Sequence, residues 1–187
     1  MVVQELLESG ADDAVQLREV ARRSHVSLAT IYRFFPTRDD LIVTAIEQWM
    51  STHCFAELAP PAPGESLYEG LMRGLRSVFE PWEGCPRMLE AYHRARTRPN
   101  GRRLDRHGVS AVFPFASALL EHADSVYADD VALVLNNVAY AVIGRFAAGA
   151  LDITDVLPTL ERVVFRLTAD NETLAAAARG RDQSRQI

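Results

Sequence analysis

Three observations predict an all-α fold, in which a small helix-turn-helix head is carried on a helical-bundle body, with about nine helices in all. No stretch sustains the alternation of a half-buried strand between hairpin turns. Apolar residues recur instead at three- and four-residue spacing along most of the chain. Breaks containing Pro and Gly cut that pattern into pieces of helical length. At 187 residues the chain buries about 70% of its unfolded surface, so it needs no staples to fold. Cys54 and Cys85 do not make a disulfide framework, which fits a reducing compartment. The opening MVVQELLESG is too short and too acidic for a signal peptide, so a cytoplasmic location is expected.

In chain order, 1–9 reads as helix and Gly10-Ala11-Asp12-Asp13 as a turn. Short helices follow at about 17–23 and 28–34, with Ser24-His25-Val26-Ser27 between them. A longer helix starts after Pro36, where Thr37 caps it and Asp40, three residues on, completes a capping-box-like pair; it is expected to run to Phe55. Ala59-Pro60-Pro61-Ala62-Pro63-Gly64 breaks the chain. It divides a head, residues 1–55, from a helical body, residues 56–187, to which the resemblance given below assigns effector binding and dimerisation. Body helices are expected at about 65–80, 85–97, 108–124, 129–150 and 154–169, with a frayed tail from Asp170. Helix 129–150 is apolar nearly all round, which calls for cover on every side. A membrane span competes at that length, but Asn136, Asn137 and Arg145 interrupt it. The last helix has a stripe of Val156, Leu157, Leu160, Val163, Val164 and Leu167, opposite Glu161, Arg162 and Arg166. These two helices are expected to pair with their copies in a homodimer, as a four-helix bundle.

The two short helices and their four-residue turn have the outline of a DNA-reading motif. Leu17, Val20, Ala21, Val26, Ile31, Phe34 and Phe35 form its expected core. The remaining surface offers Ser27, Leu28, Ala29, Thr30, Tyr32 and Arg33. Ser27 caps the second helix, whose free N–H groups suit a phosphate. Thr30 and Tyr32 offer hydroxyls and Arg38 a charged fork to the backbone. Arg33 suits guanine, while Leu28 and Ala29 suit a thymine methyl. Gln16 and Arg18 complete the candidate set. The formal charge of −5 argues against indiscriminate coating of nucleic acid, although a local reading face remains possible. Every one of the 20 basic residues is arginine, and residues 1–50 hold five arginines against eight acids, a net −3.

The stretch LREVARRSHVSLATIYRFFPTRDDL resembles the N-terminal module of TetR-family transcriptional repressors. The family pattern reads here as Leu17-Arg18-Glu19-Val20-Ala21, His25-Val26-Ser27, Thr30-Ile31-Tyr32, and Phe35-Pro36-Thr37-Arg38 followed by Leu41. His25 stands where the family has a turn glycine, Leu28 where a lysine is common and Ala29 where glycine is frequent. A left-handed backbone at His25 would carry a cost. The first helix is short and lacks the family's basic arm, so either Met1 is not the natural start or DNA is held weakly. The resemblance implies a dimer on a pseudo-palindromic operator in double-stranded DNA, with the last two of nine helices as the seam. It also implies a small-molecule effector that spreads the heads and releases the operator. AVQLREVA and TIYRFFPTR look most like actinobacterial repressors of sterol and lipid catabolism. That makes a CoA thioester, a steroid or a fatty-acid derivative the expected effector class.

Candidate pocket walls are Leu71, Met72, Leu75, Phe79, Met88, Tyr92, Phe113, Phe115 and Leu119, for each of which plain core packing is the commoner role. Asn136, Asn137 and Tyr140 are polar groups on an apolar helix, suited to a ligand or to the dimer seam. Gly70 and Gly74 permit either close helix approach or a kink. The run RARTRPNGRRLDRH, residues 94–107, holds six arginines and one acid. It reads as a solvated loop or as the mouth for an anionic ligand. The alternative class is a small all-α enzyme, or a redox- or metal-sensing protein that binds no DNA. No P-loop, dinucleotide fingerprint, HExxH or GxSxG element is present. The five histidines are scattered, so no catalytic residue, metal or cofactor is expected. Cys85, beside Pro86 at a helix start, is the one candidate for an activated thiol.

Overall fold

Helical spacing becomes helix wherever an apolar face finds cover. The computed structural model describes residues 2–10 and 15–169, and among these there are nine α-helices and no strand. They are α1 (Val2–Glu8), α2 (Leu17–Ser24), α3 (Leu28–Phe34), α4 (Arg38–His53), α5 (Leu67–Gly84), α6 (Pro86–Arg96), α7 (Arg102–Leu119), α8 (Ser125–Ala147) and α9 (Val156–Thr168), with a 3-10 turn at Ile153–Asp155. The tail from 170 and most of the turn expected at 10–13 lie outside the described residues.

The capping pair at Thr37 is present: Asp40 N–H donates to Thr37 Oγ1 at 3.1 Å, and Thr37 N–H donates to Asp40 Oδ2 at 3.2 Å. Ser66 and Glu69 repeat the device at the start of α5, and Asp124 caps α8 by accepting from Tyr127 N–H at 3.0 Å. Each satisfies donors that the first turn of a helix leaves orphaned.

The core is organised on α4. Leu41, Ile42, Val43, Ile46, Trp49 and Met50 are all buried, because α1, α6 and α7 pack against different sides of this helix. One apolar cluster therefore runs from α1 and α2 through α4 into α6 and the starts of α7 and α9. Trp49 meets Trp82 at 4.4 Å between ring centroids, and Trp82 meets Tyr92 at 5.6 Å. A smaller cluster of Leu71, Met72, Val131 and Val164 joins α5, α8 and α9.

Several boundaries differ from the sequence expectation. Helix α7 begins at Arg102, six residues before position 108, because Leu104 is fully buried and draws the arginine run into helix. Helix α5 continues through Pro81 to Gly84, carried by the burial of Trp82. Helix α8 starts at its Asp124 cap instead of at 129.

Helix α8 is not covered on all sides within one chain. Val131, Val142 and Ile143 are buried, while Leu133 is 63% exposed. Among the described residues it is also the helix long and apolar enough to cross a membrane; here its covered side packs on α6 and α9. Gly70 and Gly74 serve close approach: a Cβ at either would overlap Leu119 or Phe115 of α7.

Gly101, at the start of α7, shows the same economy. A Cβ there would run into the backbone carbonyl of Arg96, which no side-chain rotation relieves. Gly101→Ala is therefore expected to lower stability by about 2–3 kcal/mol, read by urea unfolding followed by circular dichroism.

Candidate nucleic-acid interface

Helix α2 ends where His25 adopts φ 55° and ψ 32°, the one non-glycine residue with positive φ among the described residues. Val26 N–H then donates to Ala21 O at 3.1 Å, closing the helix. The chain turns directly into α3, where Ser27 Oγ accepts from Thr30 N–H at 3.1 Å and lies 2.8 Å from the Thr30 hydroxyl. Ile31 is buried and anchors the helix. Residues one and two positions away on a helix point elsewhere, so Ala29, Tyr32 and Arg33 stand exposed, Tyr32 by 51%. Gln16 and Arg18 are exposed at the start of α2. Gln16 occupies its N-cap without a side-chain bond.

Four expectations for this motif are corrected. Phe34 is 64% exposed instead of buried, with the Arg33 guanidinium 4.9 Å from its ring centroid. Phe35, at the C-cap of α3, is the one packed against the core. Val26 is exposed in the turn. Leu28, expected on the outer face, is half-buried against the core. Arg38 is not held out to solvent: its Nε donates to Val15 O at 2.6 Å, tying α4 to the segment before α2. Among the other candidates, Thr30 is half-buried with its hydroxyl already engaged by Ser27.

The charges around the motif are sorted by face. Glu19 takes Arg22 and Arg23, each at 2.7 Å, and the hydrogen bonds from Arg22 and then Arg23 hold its carboxyl down to about 2. Asp39 takes Arg98 at 2.5 Å, Asp40 takes Asn100 Nδ2 at 2.8 Å, and Glu47 takes Arg103 at 2.6 Å. Ser51 and His107 add a 3.0 Å hydrogen bond along the same seam, and Arg87 donates to Ser9 O between α6 and α1. The arginine run is thus not simply a solvated loop: Arg96, Arg98 and Arg103 are tied to carboxylates, while Arg94, Arg102 and Arg106 are exposed. Besides Arg98 and Arg103, Arg96 pairs with Asp105 at 2.5 Å and lies 3.4 Å from the Tyr140 ring centroid. Arg94 lies 3.5 Å from Glu90.

The candidate pocket residues divide between the two apolar clusters. Leu71 and Met72 lie in the smaller one, Phe79, Met88 and Tyr92 in the larger, and Leu75 packs against both. Burial pushes the Tyr92 phenol well up. Phe115 is buried and Leu119 half-buried against α5. Phe113 is 66% exposed on the outer side of α7, so it lines no interior wall. Asn136 and Asn137 are exposed in the single chain, contrary to the expectation of buried amides; Asn137 Nδ2 donates to Leu133 O at 2.8 Å. Tyr140 is half-buried beneath Arg96. A surface groove of about 300 Å³ lies elsewhere, lined by Tyr68, Glu161, Arg162, Phe165 and Arg166. Its signal in the sequence was Phe165, an aromatic outside the α9 apolar stripe.

Among the described residues no group of three His, Cys, Asp or Glu is placed to hold a metal. Burial pushes the Cys54 thiol up to about 12 and raises Cys85 as well. Cys85 is therefore the opposite of an activated thiol.

Residues 5–45 match the family described as bacterial regulatory proteins of the tetR family, and residues 64–167 match the tetracyclin repressor-like C-terminal domain. The chain is 27% identical over 168 residues to the HTH-type transcriptional repressor KstR of Rhodococcus jostii (strain RHA1), covering 88% of this chain and 78% of that protein. The crystal structure of a TetR transcriptional regulator from Rhodococcus sp. RHA1 shares the fold with a TM-score of 0.62. Its identity is 17%, over 91% of this chain and 97% of that one.

The Arg38 tie carries a consequence for stability. Arg38→Ala leaves the carbonyl of buried Val15 without this donor and is expected to cost about 1–2 kcal/mol, measured by thermal unfolding.

Proposed function

The chain belongs to the tetR family of bacterial regulatory proteins, and on that premise we propose that it is a ligand-responsive transcriptional repressor that binds its operator as a dimer through α3. The observation that carries this reading is the outward face of α3, where Ala29, Tyr32 and Arg33 are exposed while Ile31 is buried and Leu28 is half-buried against the core. A seven-residue helix held at one end by the Ser27 cap and at the other by Phe35 is a rigid probe of groove width. Arg33 reads a base edge, Tyr32 and the N-terminus of α3 meet phosphates, and Gln16 and Arg18 flank them. Repression is the action named for the Rhodococcus relative.

Dimerisation through α8 and α9 is supported by the apolar side chains that a single chain leaves bare. Val126, Leu133 and Ala141 share one exposed face of α8 with Asn137, and Phe165 stands out from α9. An isologous seam on this face covers them and offers Asn136 and Asn137 partners on the second copy. It also sets two heads for two half-sites on a pseudo-palindromic duplex.

The effector belongs in the body. Leu75 packs against both apolar clusters, so a ligand that parts them has Leu71, Met72, Phe79, Met88, Tyr92, Phe115 and Leu119 as walls. Those walls suit an apolar molecule such as a steroid or a fatty acyl group. The effector releases DNA only to the extent that it prefers the spread conformation, and DNA weakens effector binding by the same factor.

In gel-shift titrations with the chain's own upstream DNA, Arg33→Ala is expected to relax choice at one operator position by about 1–3 kcal/mol. Tyr32→Phe is expected to weaken every sequence alike. Equal weakening of all sequences by Arg33→Ala would remove the base-reading role. Leu133→Arg is expected to give monomers in light scattering and to abolish high-affinity operator binding. A wild-type chain that stays monomeric at all concentrations would rule out the dimer.

A further inference from the structure

We propose that Arg98 and Arg103 in the body set the operator affinity of the head without touching DNA. They do so by neutralising carboxylates that otherwise repel the phosphates. This rests on the DNA-binding reading above. Residues 1–50 carry five arginines and eight acids, an unfavourable charge for an approach to a duplex with one negative charge per about 1.7 Å of axis. Asp39 and Asp40 lie in the first turn of α4, and three residues join α4 to α3. From Phe34 to Asp39 the chain spans at most about 18 Å, so both carboxylates lie in the field of any duplex that α3 engages. At 0.01 M salt the Debye length is about 30 Å, and that field is barely screened.

The body places its cations on these acids. Arg98 Nη1 donates to Asp39 Oδ1 at 2.5 Å. Arg103 Nη2 donates to Glu47 Oε2 at 2.6 Å and to Thr44 Oγ1 at 3.3 Å, and its Nη1 lies 3.9 Å from Asp40 Oδ1. Asn100 Nδ2 holds that same Asp40 oxygen at 2.8 Å. The Asp39, Asp40 and Glu47 side chains are 32%, 20% and 18% exposed, so water screens them incompletely. The turn that presents the two arginines is fixed by Gly101, pressed against the Arg96 carbonyl between them. Arg96 is drawn back to Asp105 and so leaves the head acids to its neighbours. Glu19 is already balanced within α2. Of the head's carboxylates, those of α4 take their arginine partners from the body.

The test is fluorescence anisotropy of a labelled duplex that the wild-type chain recovers from sheared genomic DNA, titrated across a salt series. The double variant Arg98→Ala with Arg103→Ala is expected to bind roughly ten-fold more weakly at about 50 mM salt, with the gap closing as salt shortens the Debye length. Adding Asp39→Asn and Glu47→Gln restores wild-type affinity, although every tie between these residues is then gone. A quadruple variant as weak as the double one would overturn the proposal, because Arg98 and Arg103 would then act through geometry. So would a double variant that binds like wild type. Recovery of no duplex by the wild-type chain would bring down the DNA-binding reading and this proposal with it. Thermal melts verify folding, and Arg98→Gln with Arg103→Gln replaces the alanine pair if that pair unfolds.

Discussion

The structure depends on the burial of α4 on several sides at once. Val43 and Ile46 have no exposed surface, and Trp49 packs at a tilt of 42° against Trp82 of α5. Head and body therefore share one continuous core. A helix in that position cannot tilt without disturbing α1, α6 and α7 together. That rigidity lets a three-residue connection carry α3 at a fixed attitude. It also makes α4 the natural route by which a change in the body reaches the head, since packed interfaces switch between discrete arrangements instead of deforming smoothly.

Polar groups complete what the core begins. The seam between α4 and the α6–α7 turn is a row of carboxylates facing a row of arginines. Isolated surface pairs of this kind contribute little to stability. Their consequence lies in where charge is left over. With Asp39, Asp40 and Glu47 matched from the body and Glu19 matched within α2, an acidic head keeps Arg18 and Arg33 exposed at its surface. The formal charge of residues 1–50 taken alone gives the opposite impression.

The motif was legible because short-range chemistry specifies it. The Ser27 and Thr37 caps, the left-handed His25 turn and the Ile31 anchor each involve residues within a few positions of one another, and all took the expected form. Misreadings arose where a neighbour far along the chain decided the outcome. Phe34 has the composition of a core residue, but Phe35 holds the inward slot. Arg38 looks like a phosphate fork until Val15 supplies a carbonyl. Arg98 and Arg103 of the arginine run look like solvent-facing charge until α4 brings its acids alongside. Asn136 and Asn137 are polar breaks on an apolar helix, and their exposure in one chain follows from which face α6 and α9 cover.

The sequence by itself determined the helical class, the order of the nine helices among the described residues, and the local geometry of the DNA-reading motif, because periodicity, caps and turn residues act over three or four positions. Tertiary structure alone decided that the head is fused to the body through α4, that the acids of α4 are paired from the α6–α7 turn and the start of α7, and which side chains stay in water. Those outcomes depend on contacts between residues some 56 to 60 positions apart, and neither composition nor spacing encodes which distant partner arrives.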